Sequence, residues 1–255
     1  MSRIRSLTAV VYPLLGLAVL ILAWWAGVAY FKPQPIVLPA PELVLSAFSD
    51  HPAYLADMAW VTTGEIALGF GVAAVGGVLL GLWLFSSTTV DRMFSPLLVG
   101  VNAVPKIALA PMMMVWLGLT YEARVAMVVL LCFFPIVLGT LAGLRSTPAE
   151  LAELARSLRA SRWQTFVKIR LPGALPQIFV GLKVAMPLAA VGSTIGEMVG
   201  GDSGLGFVIS TASGQADMAL TVAALLLLAL VSVLLYLAIE AVEWLVLPWV
   251  RGVTA

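Results

Sequence analysis

The stretch "ELARSLRASRWQTFVKIRLPGALP", residues 153–176, decides the fold. It holds Arg156, Arg159, Arg162, Lys168 and Arg170, five of the 14 lysines and arginines in a chain of 255 residues that is 62% hydrophobic and 11% charged. Soluble domains carry about 25% charged residues. This chain lacks the polar surface that water requires, so the bilayer is its solvent. Its net charge of +1 gives no general case for binding nucleic acid.

Within the stretch the helix punctuation is dense. Thr147-Pro148-Ala149-Glu150 fits an N-cap, a proline at the first helical position and a capping-box glutamate. Leu151, Leu154, Ala155 and Leu158 then follow at helical spacing and form one apolar stripe. Ser161 and Gln164 make a second capping box, and Trp163, Phe166, Val167 and Ile169 give the next helix its apolar face. Pro172 is expected to stop it. The pattern predicts two short helices with a bend near 159–161, both too short for a bilayer, which takes about 20 apolar residues. Topogenic charge alone would not require capped helices or stripes. An apolar stripe outside the bilayer core needs the membrane surface or a protein groove as partner.

Working outward, six apolar stretches are long enough to span: 7–31, 59–85, 94–119, 125–144, 175–199 and 218–247. The third holds Pro105, Lys106 and Pro111, which mark a broken helix. Arg3 and Arg5 precede the first, which is too long for a cleavable signal peptide and reads as a retained helix. With the N-terminus inside, Arg3, Arg5, Arg92, Arg145, Arg251 and the five basic residues of the quoted stretch all face the cytoplasm. Only Lys32 and Arg124 fall outside. That asymmetry places both termini in the cytoplasm and makes the stretch a cytoplasmic loop. The expected fold class is an all-α, multi-pass membrane protein of six transmembrane helices. Residues 1–58 form the first span and an outer proline-rich segment, 59–248 a core with the loop at 146–172, and 249–255 a cytoplasmic tail. The outer segment, with Pro33, Pro35, Pro39, Pro41 and Pro52, reads as extended chain followed by a short amphipathic helix. Residues 200–217 form a glycine-rich outer segment. Gly77 and Gly81, Gly139 and Gly143, and Gly192, Gly196 and Gly200 stand four apart and serve close helix packing.

The loop resembles the signature of ATP-binding-cassette importer permeases: Glu-Ala-Ala, three residues, Gly, nine residues, Ile-x-Leu-Pro. Glu153, Ala155, Ile169, Leu171 and Pro172 stand at that spacing. "VPKIALAPMMMVWLG" (104–118) and "GEMVGGDSGLGF" (196–207) are similar to the third and fifth spans of nitrate, sulfonate, taurine and thiamine-precursor importers. The chain departs from the pattern at Arg159, where the family has glycine. Either the bend keeps ordinary helical angles with Ser161 capping the next helix, or it accepts strain.

The resemblance implies a type I importer permease, the transmembrane subunit of a bacterial inner-membrane transporter. It implies a homodimer, two partner ATPase subunits that hold ATP and Mg²⁺, and an extracytoplasmic substrate-binding protein. Glu153, Leu154, Ala155, Leu158, Arg159, Ile169, Leu171 and Pro172 would then couple to the ATPase, and the chain itself would be no enzyme and bind no cofactor. An ATPase-independent secondary transporter or channel is the alternative.

Glu65, Lys106 and Glu197 are the translocation-pathway candidates, because ionisable groups inside spans are costly. Each has a second reading: Glu65 pairs with a basic group, Glu197 caps glycine-rich backbone, and Lys106 reaches for the cytoplasmic interface. "GDSG" (201–204) matches a serine-protease pattern, but the single histidine, His51, lies in the outer segment. No catalytic or metal-binding motif is legible. A carboxylate at Glu65, and the likeness of "VTTGEIALGF" (61–70) to thiamine-precursor and riboflavin-type permeases, point to a pyrimidine-like or flavin-like solute. A small sulfonate, nitrate or taurine-type anion remains the other possibility.

Overall fold

A computed structural model describes residues 2–249. Arg251 and most of the tail at 249–255 lie outside the described residues. Every secondary-structure element among the described residues is helical. Helix α1 (Ser2–Phe31) leads to α2 (Pro41–Asp50) and α3 (Pro52–Ser86). Then come α4 (Thr88–Asn102), a 3₁₀ turn (Lys106–Leu109), α5 (Ala110–Leu117) and α6 (Tyr121–Arg145). The basic stretch supplies α7 (Ala149–Ser157) and α8 (Arg162–Thr165), which leads into α9 (Leu171–Gly200). Helices α10 (Leu205–Gly214) and α11 (Met218–Val246) complete the chain. Five helical stretches are long and apolar enough to cross a membrane, and α4 with the 3₁₀ turn and α5 supplies a sixth, bent by 79°.

Sequence and structure differ in identifiable places. Helix α3 begins at Pro52, where proline needs no N–H partner, so the boundary expected at residue 58 falls inside a helix. Residues 200–217 are not simply a loop: α10 packs Leu205, Val208 and Ile209 into a core shared with Val44, Leu55 and Ala223. The expected stop at Pro172 is absent. Leu171 N–H donates to the Phe166 carbonyl five residues back, in a π turn spanning Phe166–Arg170. That widened turn leaves Pro172 in the first turn of α9, where its missing N–H costs nothing. Helix therefore runs on from Arg162 to Gly200.

The main core lies where α3, α6 and α9 cross. Ile66, Ala73, Val128, Cys132, Ile136, Ala185 and Ala189 are buried there, and the Cys132 thiol donates to the Ala185 carbonyl. Small residues let these helices close on one another. A Cβ on Gly139 would stand 2.8 Å from the Gly181 Cα, and one on Gly77 would stand 2.9 Å from Ile136. Ion pairs tie the ends: Arg145 grips both oxygens of Asp91 at 2.5 and 2.6 Å, and Lys183 meets Glu243 at 2.6 Å. Beyond α1 the proline-rich chain is not the extended stretch expected: it closes a turn in which the Val37 and Leu38 N–H groups donate to the Gln34 carbonyl. The Trp24 and Trp25 indoles donate to the Pro39 carbonyl and the Glu42 carboxylate.

Candidate functional site

Two regions carry the candidate residues. The first is the α7–α8 loop. Pro148 adopts ψ 141° and occupies the N-cap itself. Thr147 therefore stands one residue too early to cap α7, and the first expected capping box does not form. The second does: Gln164 N–H donates to Ser161 Oγ, and Ser161 N–H donates to Gln164 Oε1. Between them, α7 ends in a Schellman motif. Ala160 N–H reaches the Ala155 carbonyl and Arg159 N–H the Arg156 carbonyl, both at 2.9 Å. The left-handed residue such a motif requires is Arg159, at φ +52°. The family glycine would stand at that position. The bend thus takes the strained option, with Ser161 capping as well.

The stripe divides by size. Ala155 is buried at 3% exposure, while Leu151, Leu154 and Leu158 are 43%, 54% and 73% exposed. Glu153 and Arg159 are exposed, whereas Ile169, Leu171 and Pro172 are half-buried in the π turn and the first turn of α9. Trp163 is exposed and stacks on Phe166.

The second region is a buried polar junction where α3, α6 and α9 meet the 200–206 segment. Thr62, Glu65, Ser193 and Glu197 are fully buried. Leu205 N–H donates to Thr62 Oγ1 at 2.8 Å, and Thr62 donates on to Glu197 Oε1 at 2.7 Å. Gly206 N–H donates to Glu197 Oε2. Glu197 therefore satisfies the Gly206 amide directly and the Leu205 amide through Thr62 at the N-terminus of α10, where a carboxylate also suits the helix dipole. The Ser193 hydroxyl bridges the two carboxylates, 2.9 Å from Glu65 Oε2 and 3.0 Å from Glu197 Oε1. Arg124 Nε stands 2.8 Å from Glu65 Oε1, an ion pair not aligned along the N–H.

At the rim, Arg124 Nη1 reaches Asp202 Oδ1 at 3.2 Å. The Ser203 hydroxyl and then the Arg124 guanidinium hold the Asp202 carboxyl below its ordinary range. That tie persists through neutral pH and is lost only as pH falls through the depressed value. Gly204, at φ +97°, completes the fit, because a Cβ there would run into the Glu197 carboxyl.

Both second readings given above for Glu65 and Glu197 thus describe real contacts. The junction also contains a residue that sequence reasoning missed. Arg124 counted only as an outer charge, yet it is buried at 6% exposure. Its one legible signal was being one of two basic residues on the outer side. Lys106 sits apart from the junction, just past the break after α4. Its Nζ donates to Asn102 Oδ1 at 2.7 Å and lies 4.9 Å from the Phe134 ring, halfway along α6.

A bundle of apolar spans with one broken helix, charges paired inside it and an amphipathic loop with an exposed leucine stripe at one end is the architecture of a transport permease. The chain belongs to the binding-protein-dependent transport system inner membrane component family, whose sequence profile matches residues 73–252. It is the permease subunit of an ATP-binding-cassette importer, a multi-pass membrane protein whose family works with ATPase and binding-protein partners.

It is 34% identical to the formylaminopyrimidine transport permease protein ThiX of Halalkalibacterium halodurans, over 88% of this chain and 90% of that one. It is 34% identical to the riboflavin transport system permease protein RibX of Chloroflexus aurantiacus, over 97% and 94%. Identity to the taurine transport system permease protein TauC of Escherichia coli is 28%, over 91% and 87%. Among solved structures, an inward-facing MetNI methionine transporter chain superposes with a TM-score of 0.64 at 22% identity. The match covers 79% of this chain and 97% of that one and supports the fold.

Proposed function

We propose that two copies of this chain form the membrane pathway of an importer for a neutral nitrogen heteroaromatic of the pyrimidine or flavin kind. Both termini are cytoplasmic, the α7–α8 loop seats on the ATPase, and an extracytoplasmic binding protein delivers the solute. One coupling loop per chain and two ATPases per transporter call for a homodimer. ATP and Mg²⁺ are held by the ATPase, and this chain performs no hydrolysis.

The observation that carries the coupling role is the exposed stripe of Leu151, Leu154 and Leu158, an apolar surface on α7 left open to solvent. Support for the solute comes from the relatives, which are 34% identical where they transport formylaminopyrimidine or riboflavin and 28% where they transport taurine. Glu65 no longer supports it, because Arg124 matches its charge inside the chain. A second reading, a small anion, is favoured by Lys106, a cation at a helix break beside the middle of α6.

Proteoliposomes holding the permease, its ATPase and its binding protein separate the two. ATP-dependent, saturable uptake of a formylaminopyrimidine or riboflavin, without uptake of taurine or nitrate, is the expected result. Uptake of the anions alone, lost on Lys106→Gln, would establish the second reading.

A further inference from the structure

Where α3 and α9 emerge at the basic end of the bundle, a cavity of about 770 Å³ opens between the last turn of α3 and the α7–α8 loop. That volume falls in the range of small-ligand sites. Leu82, Phe85 and Ser86 form its wall on the α3 side. Arg156, Arg162, Trp163 and Arg170 line it from the α7–α8 loop and the turn before α9. No acidic residue is found among its described lining residues.

Arg170 is the most informative of these. Its guanidinium lies over the Phe85 ring at 5.2 Å, and its Nε is buried with no hydrogen-bond partner among the described residues. Arg170 lines this roomy cavity together with Arg162, and an arginine cluster calls for a multivalent oxyanion such as phosphate.

We propose that this cavity binds the phosphate of an anionic phospholipid headgroup. The apolar side of the cavity identifies the source as lipid. It belongs to the end of a spanning helix and continues along α3 onto the exposed Leu79 and Trp83, a surface that acyl chains can follow. Basic pockets between spans at the membrane surface recognise anionic headgroups in this way. A lipid seated there braces the α7–α8 loop against α3, so membrane composition sets how firmly the loop is held. Neither the Glu65–Glu197 junction nor the leucines of the exposed stripe are among its lining residues.

The test is lipid retention. The permease, purified with its ATPase, is reconstituted in nanodiscs of equal phosphatidylglycerol and phosphatidylcholine and re-extracted, and its bound lipid is measured by native mass spectrometry. Wild type should retain phosphatidylglycerol selectively. Each arginine at an anionic surface is worth about fivefold, so R162Q/R170Q should weaken retention about 30-fold. R162K/R170K keeps the charge and should retain the lipid. Arg92→Gln, an exposed arginine outside the cavity, should change nothing.

Equal retention of both lipids by wild type would overturn the proposal, as would unchanged retention in R162Q/R170Q. Displacement of the lipid by millimolar inorganic phosphate would also overturn it and assign the cavity to a soluble phosphate ligand. Loss of lipid whenever the ATPase is bound would assign the surface to that partner.

Discussion

Arg159 and Arg124 carry opposite kinds of cost. Arg159 stores local backbone strain of about 1 kcal/mol in the left-handed region. Glycine would release that strain but lose a similar amount through its freer unfolded chain. Arg159→Gly should therefore leave the thermal midpoint and uptake near wild type. Arg159→Val, β-branched at the same φ, should cost about 2 kcal/mol, read as a lower midpoint in detergent. Arg124 instead depends on Glu65. Removing Arg124 leaves the buried Glu65 carboxylate without its ion-pair partner, so Arg124→Gln should cost about 4 kcal/mol, whereas Glu65→Gln leaves Arg124 its contact with Asp202 and should cost less. The double variant should cost well below the sum; strict additivity would show that the pair is not coupled. Arg124 was not legible in the sequence, because its partners Glu65 and Asp202 lie 59 and 78 residues away, and no local pattern reports such distances.

At the scale of elements, local chemistry was legible and continuity was not. The Ser161–Gln164 capping box involves four adjacent residues, and it formed as read. Pro172 was misread because a proline ends a helix only where its N–H would be needed, and the π turn before it removes that need. The broken third span was legible from Pro105 and Lys106, but its 79° angle was not. For the α7 stripe, replacing Leu154 and Leu158 with alanine should weaken ATPase association by about 3 kcal/mol. The two side chains are mostly exposed in this chain, so its thermal midpoint should hold while uptake falls. Normal uptake by the double variant would reduce the loop to a topogenic charge cluster.

At the scale of the whole molecule, the six-span bundle was legible because apolar length is a local property; the charge asymmetry supplies the orientation proposed for it. The orientation is checked by cysteine labelling. Cys132 is buried and is replaced by alanine; single cysteines are then placed at Ser2, Ser157 and Ser203. An impermeant thiol reagent on intact spheroplasts should label only position 203. Labelling at 157 would invert the map. The way α10 folds back onto α2, α3 and α11 was not legible, since it depends on contacts that close only when the bundle has assembled.

The uninterrupted run from Arg162 to Gly200 has a mechanical consequence. At 1.5 Å per residue, 39 residues make a lever about 58 Å long. One end is Trp163, in the α7–α8 loop proposed to meet the ATPase; near the other, Glu197 grips the start of α10. Tilting such a lever by about 5° swings its far end by about 5 Å, roughly one helical turn. A push delivered at one face would travel to the other along this single helical run, through the π turn and past Pro176 and Pro187. Linkage then makes the traffic two-way: whatever docks on the outer rim and shifts Glu197 must change how tightly the loop is held inside, by the same free energy.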